Sequence, residues 1–144
     1  MARIETRDIT ESIANALQYI SYYHSPDFVK AMARAYEREE SSAAKNAMAQ
    51  ILVNSRLAAE GHRPICQDTG VVVVFLKIGQ SAVIDGDDSI QDAIDLGVHR
   101  AYTNPENPLR ASMVSPPIGA RRNTGDNTPA VVHTEIVAAA QRRA

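Results

Sequence analysis

At 144 residues the chain is long enough for one domain with its own core and too short to suggest two. Hydrophobic residues at 44% and charged residues at 22% are ordinary for a soluble globular protein, and a formal net charge of −2 argues against an electrostatic nucleic-acid binder. The basic clusters Arg121-Arg122 and Arg142-Arg143 are pairs, not the stripe that tracks a phosphate backbone.

No apolar run approaches the roughly 18 to 20 residues of a membrane-spanning helix. The N-terminus, Met1 to Asp8, mixes both charges early and lacks a signal-type apolar stretch. One cysteine excludes an intrachain disulfide framework and fits a reducing compartment, so the expected location is cytoplasmic. With no Trp and two Phe, the core must be aliphatic and alanine-based.

In chain order, Ile9, Ile13, Ala16, Leu17 and Ile20 recur at threes and fours and predict a helix over 8–23, with Asp8 as N-cap. Pro26 opens a second helix to about Glu40, carrying Phe28, Met32, Ala35 and Tyr36 on one side. Ser41-Ser42 starts a third, over 43–59, which Gly61 closes as a left-handed cap. Val71 to Ile78 then reads as a strand, its β-branched opening suited to burial on both faces. Ser81 to Ile84 reads as a second, shorter strand completing a hairpin across Gly79-Gln80. Helical spacing returns over 89–103 through Ile90, Ala93, Ile94, Gly97, Val98 and Ala101, with Asp88 or Ser89 as cap. The stretch 103–129 is rich in Pro and Gly and lacks periodicity, and loops of that length are often functional or disordered. Ala130 to Val137 reads as a last strand. The expected fold is α+β, a helical N-terminal layer packed on a small mixed sheet.

The candidate chemistry centres on Arg63-Pro64-Ile65-Cys66-Gln67-Asp68-Thr69-Gly70, a thiol, an amide and a carboxylate in consecutive positions ahead of a strand. A lone cysteine is more often a small buried hydrophobe than a ligand. Its neighbours shift that balance, because Gln67 and Asp68 would be expensive to bury without partners. One cysteine cannot by itself hold zinc or an iron–sulfur cluster, and spacing assigns no histidine as its base. A second cluster, Asn123-Thr124-Gly125-Asp126-Asn127-Thr128-Pro129-Ala130, reads equally as a turn or as a functional loop. Arg110 offers a planar fork for a carboxylate, although a loop arginine is usually only surface. Of the histidines, His24, His62 and His99 read as structural or solvated. His133, in the last strand, is the best site candidate of the four.

At these residues the sequence resembles the class I fumarase family, iron–sulfur hydro-lyases that include fumarate hydratases and the α subunit of L(+)-tartrate dehydratase. Ile65-Cys66-Gln67-Asp68-Thr69-Gly70, Leu109-Arg110 and Asn123 to Ala130 carry the resemblance, which covers roughly residues 5–137. It implies that Cys66 is one of three thiolates on a [4Fe–4S] cluster whose open iron acts as a Lewis acid on the substrate's hydroxyl and carboxylate. It implies that Gln67 and Asp68 contact substrate, that Asp68 does acid–base work on the water gained or lost, and that Arg110 holds a carboxylate. No specific role is implied for the Asn123–Pro129 loop beyond supporting the pocket.

The departures matter as much. The family's other two cluster cysteines lie further along than this sequence extends, as does a glycine-rich substrate loop. The tail 138–144 no longer resembles the family. The resemblance therefore implies residues 1–137 as the N-terminal part of a catalytic domain, incomplete by itself and inactive alone, with the cluster present in the complete enzyme and absent from this chain. Its partners would be a small dicarboxylate, the remainder of the α subunit, and a β subunit or second domain, in a homo-oligomer that binds neither nucleic acid nor membrane. The alternative is a non-catalytic binding or assembly module that keeps the fold without the chemistry.

Overall fold

The computed structural model describes residues 2–66 and 70–138. The fold is α+β, in the order β1 (Arg3–Glu5), α1 (Thr6–Tyr22), α2 (Pro26–Arg38), α3 (Ser42–Gly61), β2 (Val73–Gly79), β3 (Val83–Asp85), α4 (Ile90–Tyr102), β4 (Val114–Ser115), β5 (Arg122–Asn123) and β6 (Val131–Val137). The chain divides into two compact units, one of Met1–Leu17 with Asp68–Ala144 and the other of Gln18–Gln67.

The first unit is built around α4. Ser89 caps it by accepting a hydrogen bond from the Asp92 amide. The apolar spacing then places Ile94 and Val98 in full burial, where they form the core with Val72, Ala101, Tyr102 and Ala130. Ile9, Ile13 and Leu17 of α1 pack against the same core. Gly97 sets the closeness of that packing: a Cβ there would lie 2.7 Å from the Thr10 carbonyl oxygen and 2.8 Å from Ile13 Cβ. At this crossing Thr10 Oγ1 donates to the Ala93 carbonyl at 2.8 Å.

β2 and β6 pair in parallel, with Val73 opposite Val131, Phe75 opposite His133 and Lys77 opposite Glu135. Parallel partners require a crossover, and the 51 residues between them that include α4 provide it (80–130). The β2 strand is not buried on both faces as its valine run predicts. Val72 is buried and Val74 half-buried on the core side, whereas Val71, Val73 and Phe75 alternate onto an exposed face. A pair of strands with one face on the helices leaves the other face open, and β-branched propensity cannot distinguish the two cases.

The expected hairpin does not form either. After Gly79 the chain turns, with the Gln80 amide donating to Val137 and the Ala82 amide to Gly79. β3 then pairs in parallel with β1, where Arg3 and Asp85 form an ion pair. Gly86, at φ +132°, closes that strand against Thr6. Among the described residues the strands form three separate two-stranded pairs, not one mixed sheet. The aperiodic stretch is less irregular than expected, since β4 and β5 pair antiparallel within it.

In the second unit Pro26 opens α2, and Ser41 caps α3 by accepting from the Ala44 amide. The left-handed residue ending α3 is His62, at φ 46°, and not Gly61. Its ring is held by aromatic neighbours, stacked on Tyr22 at 4.7 Å and edge-on to Tyr23. Helix α1 starts at Thr6, so Asp8 sits in its first turn and is not the N-cap. Among the described residues no helix is long and apolar enough to cross a membrane.

Candidate active site

Cys66 lies in the second unit at the end of a fixed approach. The Ile65 amide donates to the Ser21 carbonyl at 2.8 Å, and the Ile65 carbonyl accepts from Asn54 Nδ2 at 3.0 Å. The peptide groups flanking Ile65 are thereby tied to α1 and α3, and the thiol that follows is exposed. Gln67 and Asp68 lie outside the described residues.

Gly70, which closes the motif, belongs to the first unit, and there the structure joins it to the other two motifs. Asn127 is the hub. It is fully buried and adopts the left-handed conformation, φ 64°, that asparagine tolerates better than most residues. Its Oδ1 accepts from the amides of Ser112 and Met113, both at 3.0 Å, and its Nδ2 donates to the Gly70 carbonyl at 2.8 Å. The partners fix the amide's orientation, because a flipped side chain would set donors against donors. Arg110, exposed and two residues before Ser112, therefore sits on a segment tied through one side chain to the end of the cysteine motif.

The rest of the Asn123–Pro129 loop reinforces this junction. Asn123 Nδ2 donates to the Ala111 carbonyl at 2.9 Å and the Thr124 amide to the Met113 carbonyl at 3.0 Å. Within the loop, the Gly125 amide donates to Asn123 Oδ1 at 2.8 Å. Asp126 Oδ1 accepts from both the amide and the hydroxyl of Thr128, at 3.1 and 2.7 Å.

Helix α4 supplies the other wall of the loop through a polar stripe. Gln91 Nε2 donates to the Ala130 carbonyl at 3.1 Å, Asp95 Oδ1 accepts from the Ala130 amide at 2.7 Å, and His99 Nδ1 lies 3.0 Å from Asp126 Oδ2. Burial raises the Tyr102 pKa, and the neighbouring Asn127 side chain partly offsets the effect. For Asp126 the largest single influence, loss of hydration, raises the pKa. The hydrogen bonds from His99 and Thr128, with the His99 charge, outweigh it and hold the carboxyl below the usual aspartate range. Sequence reasoning placed His99 among the structural or solvated histidines and missed its pairing. The signal was there: Gln91, Asp95 and His99 recur every four residues along one face of the helix.

His133 lies in β6 on the exposed sheet face, its ring stacked on Phe75 with centroids 5.1 Å apart. Among the described residues no three His, Cys, Asp or Glu side chains come together in a group that could hold a metal ion. The chain has one cysteine, and the remaining thiolates that a cluster requires are not in its sequence. Its own donors do not complete an iron–sulfur site.

The sequence pattern of the Fumarate hydratase (Fumerase) family matches residues 10–143, and the chain belongs to that family. It is 34% identical over 123 residues to the "Putative L(+)-tartrate dehydratase subunit alpha" of Methanocaldococcus jannaschii, a match covering 84% of this chain and 42% of that protein. It is 32% identical over 120 residues to the L(+)-tartrate dehydratase subunit alpha of Escherichia coli K12, covering 83% of this chain and 38% of that one. Against the anaerobic class I fumarate hydratase of the same strain it is 31% identical over 132 residues, covering 90% of this chain and 23% of the enzyme. The chain thus spans less than half the length of each of these relatives, in their N-terminal part.

Proposed function

We propose that this chain is the N-terminal part of an iron–sulfur hydro-lyase that reversibly hydrates fumarate to malate or dehydrates tartrate, and that it is inactive alone. In this reading Cys66 contributes one thiolate to a [4Fe–4S] cluster that is completed outside this sequence. Gln67 and Asp68 contact the substrate, with Asp68 moving the proton of the water gained or lost. Arg110 grips a substrate carboxylate through its planar fork. Adding or removing water at a 2-hydroxydicarboxylate needs a carboxylate anchor and a positioned acid or base, and these residues supply both.

The observation that carries this reading is the hydrogen-bonded junction at Asn127. All three motifs of the family resemblance run into it, through Gly70, through Ser112 and Met113 beyond Arg110, and through the asparagine loop itself. A fully buried amide with all its partners present holds these segments in one fixed relation, because burying it unpaired would be costly.

The enzyme is cytoplasmic and homo-oligomeric in this reading, and its partners are the remainder of the α subunit and a β subunit or second domain. The relatives named as α subunits are more than twice as long as the matched stretch. The open face of β2 and β6, with Val71, Val73, Phe75 and Val131 exposed, is apolar surface that the rest of such a subunit covers. The test is an anaerobic assay with fumarate and with tartrate, of this chain alone and of this chain joined to the remaining subunit portions. The expected result is turnover only in the complete assembly. Turnover by the isolated chain, or none by an assembly with its cluster intact, overturns the reading.

A further inference from the structure

We infer that Asn127 is a positioning residue, setting the Arg110 segment in register with the residue that closes the Cys66–Gly70 motif. This inference rests on the hydro-lyase reading for its effect on turnover, and on geometry alone for its effect on the backbone. Asn127 contacts no reacting group. It acts through the Gly70 carbonyl on one side and the Ser112 and Met113 amides on the other.

Three features separate this side chain from an ordinary turn asparagine. An Asx turn bonds its own backbone two residues on, as Asn123 does with Gly125 and Asp126 with Thr128. The bonds from Asn127 to Met113, Ser112 and Gly70 reach 14, 15 and 57 residues away in sequence. The loop is also braced from behind, since His99 holds Asp126, and Asp95 and Gln91 hold Ala130. A movement of Asn127 would therefore require the loop to leave α4. Finally, donor and acceptor are divided by direction: the oxygen serves only the Arg110 side and the nitrogen the Gly70 side.

That division permits a selective cut. Asn127→Asp keeps an oxygen for Ser112 and Met113 and tolerates the left-handed backbone, but removes the donor to Gly70. Asn127→Gly keeps the backbone conformation, introduces no buried charge and removes all three bonds, so it serves if the aspartate variant does not fold. On this chain, NMR follows the Val71 amide nitrogen, which senses hydrogen bonding at the preceding Gly70 carbonyl, and solvent exchange of the Ser112 and Met113 amides. In the complete enzyme, kcat and KM are measured separately with fumarate and with tartrate.

In the aspartate variant the Val71 resonance should shift while the Ser112 and Met113 amides stay protected. In the glycine variant those two amides should exchange at least tenfold faster. In either variant kcat/KM should fall at least tenfold with Ile94 and Val98 methyl resonances unchanged, which a purely structural role would not produce. A folded variant with wild-type Val71 shift, or with wild-type kcat/KM, overturns the inference. Absence of hydro-lyase turnover in the wild-type assembly would instead overturn the functional reading, and the amide measurements would still decide the backbone claim.

Discussion

Asp126 shows how a single carboxylate in the loop makes stability depend on pH. Its pKa in the fold is held below the unfolded value of about 3.9. A depressed carboxyl stabilises the fold fully above the unfolded value and loses that contribution as pH falls through the folded one. Asp126→Asn should therefore lower the urea midpoint at pH 7 and have a smaller effect at pH 3, below the unfolded value, where part of that contribution is already lost. Equal effects at both pH values would contradict this account. Asp95 accepts from the Ala130 amide through Oδ1 and from Gln91 Nε2 through Oδ2. Its replacement by Ala should cost about 1–3 kcal/mol in equilibrium unfolding. These partnerships were only partly legible in the sequence. The fourfold spacing of Gln91, Asp95 and His99 marks one helical face, but that the loop from Asp126 to Ala130 would lie on it depends on a fold spanning 39 residues of chain from Gln91 to Ala130.

At the scale of elements, helices were read well because their apolar period is local. α2, α3 and α4 fall within a few residues of their predicted limits. Strand partners were read poorly because pairing is non-local. Nothing in Ser81 to Ile84 distinguishes a hairpin with β2 from a parallel pairing with Arg3–Glu5, and the ion pair of Arg3 with Asp85 becomes visible only once the strands meet. Gly97 gives a direct test of the α1–α4 crossing. Alanine would gain about 1 kcal/mol in helix propensity over glycine. Its Cβ, however, would press on the Thr10 carbonyl and Ile13, backbone and core atoms that cannot swing aside, and overpacking of this kind costs about 1–3 kcal/mol. Gly97→Ala should therefore be net destabilising in thermal unfolding, and a raised midpoint would contradict the packing described.

For the whole molecule, the open face of the β2–β6 pair is an exposed surface carrying Val71, Val73, Phe75 and Val131. Lys77 and Glu135 form an exposed pair at one end of that face, whose loss should cost under about 1 kcal/mol. Phe75, 78% exposed, lies at its apolar end, and a ring so placed favours self-association of the isolated chain. Phe75→Ser should shift the isolated chain toward monomer in sedimentation velocity, whereas an unchanged distribution would show that this face is not what associates. The sequence showed the motifs and their order, and from these the family followed. It could not show that Asn127 joins them, because that role belongs to a fully buried amide whose partners are backbone groups, and backbone groups leave no mark on residue type.

The central claim is that Cys66 supplies a cluster thiolate to a hydro-lyase of which this chain is the N-terminal part. It is tested most directly by Cys66→Ser in the complete, anaerobically assembled enzyme, assayed for fumarate hydration and tartrate dehydration alongside circular dichroism. The account predicts loss of at least a hundredfold in turnover, loss of the cluster's visible absorption, and an unchanged fold. Turnover within a few fold of wild type would contradict it.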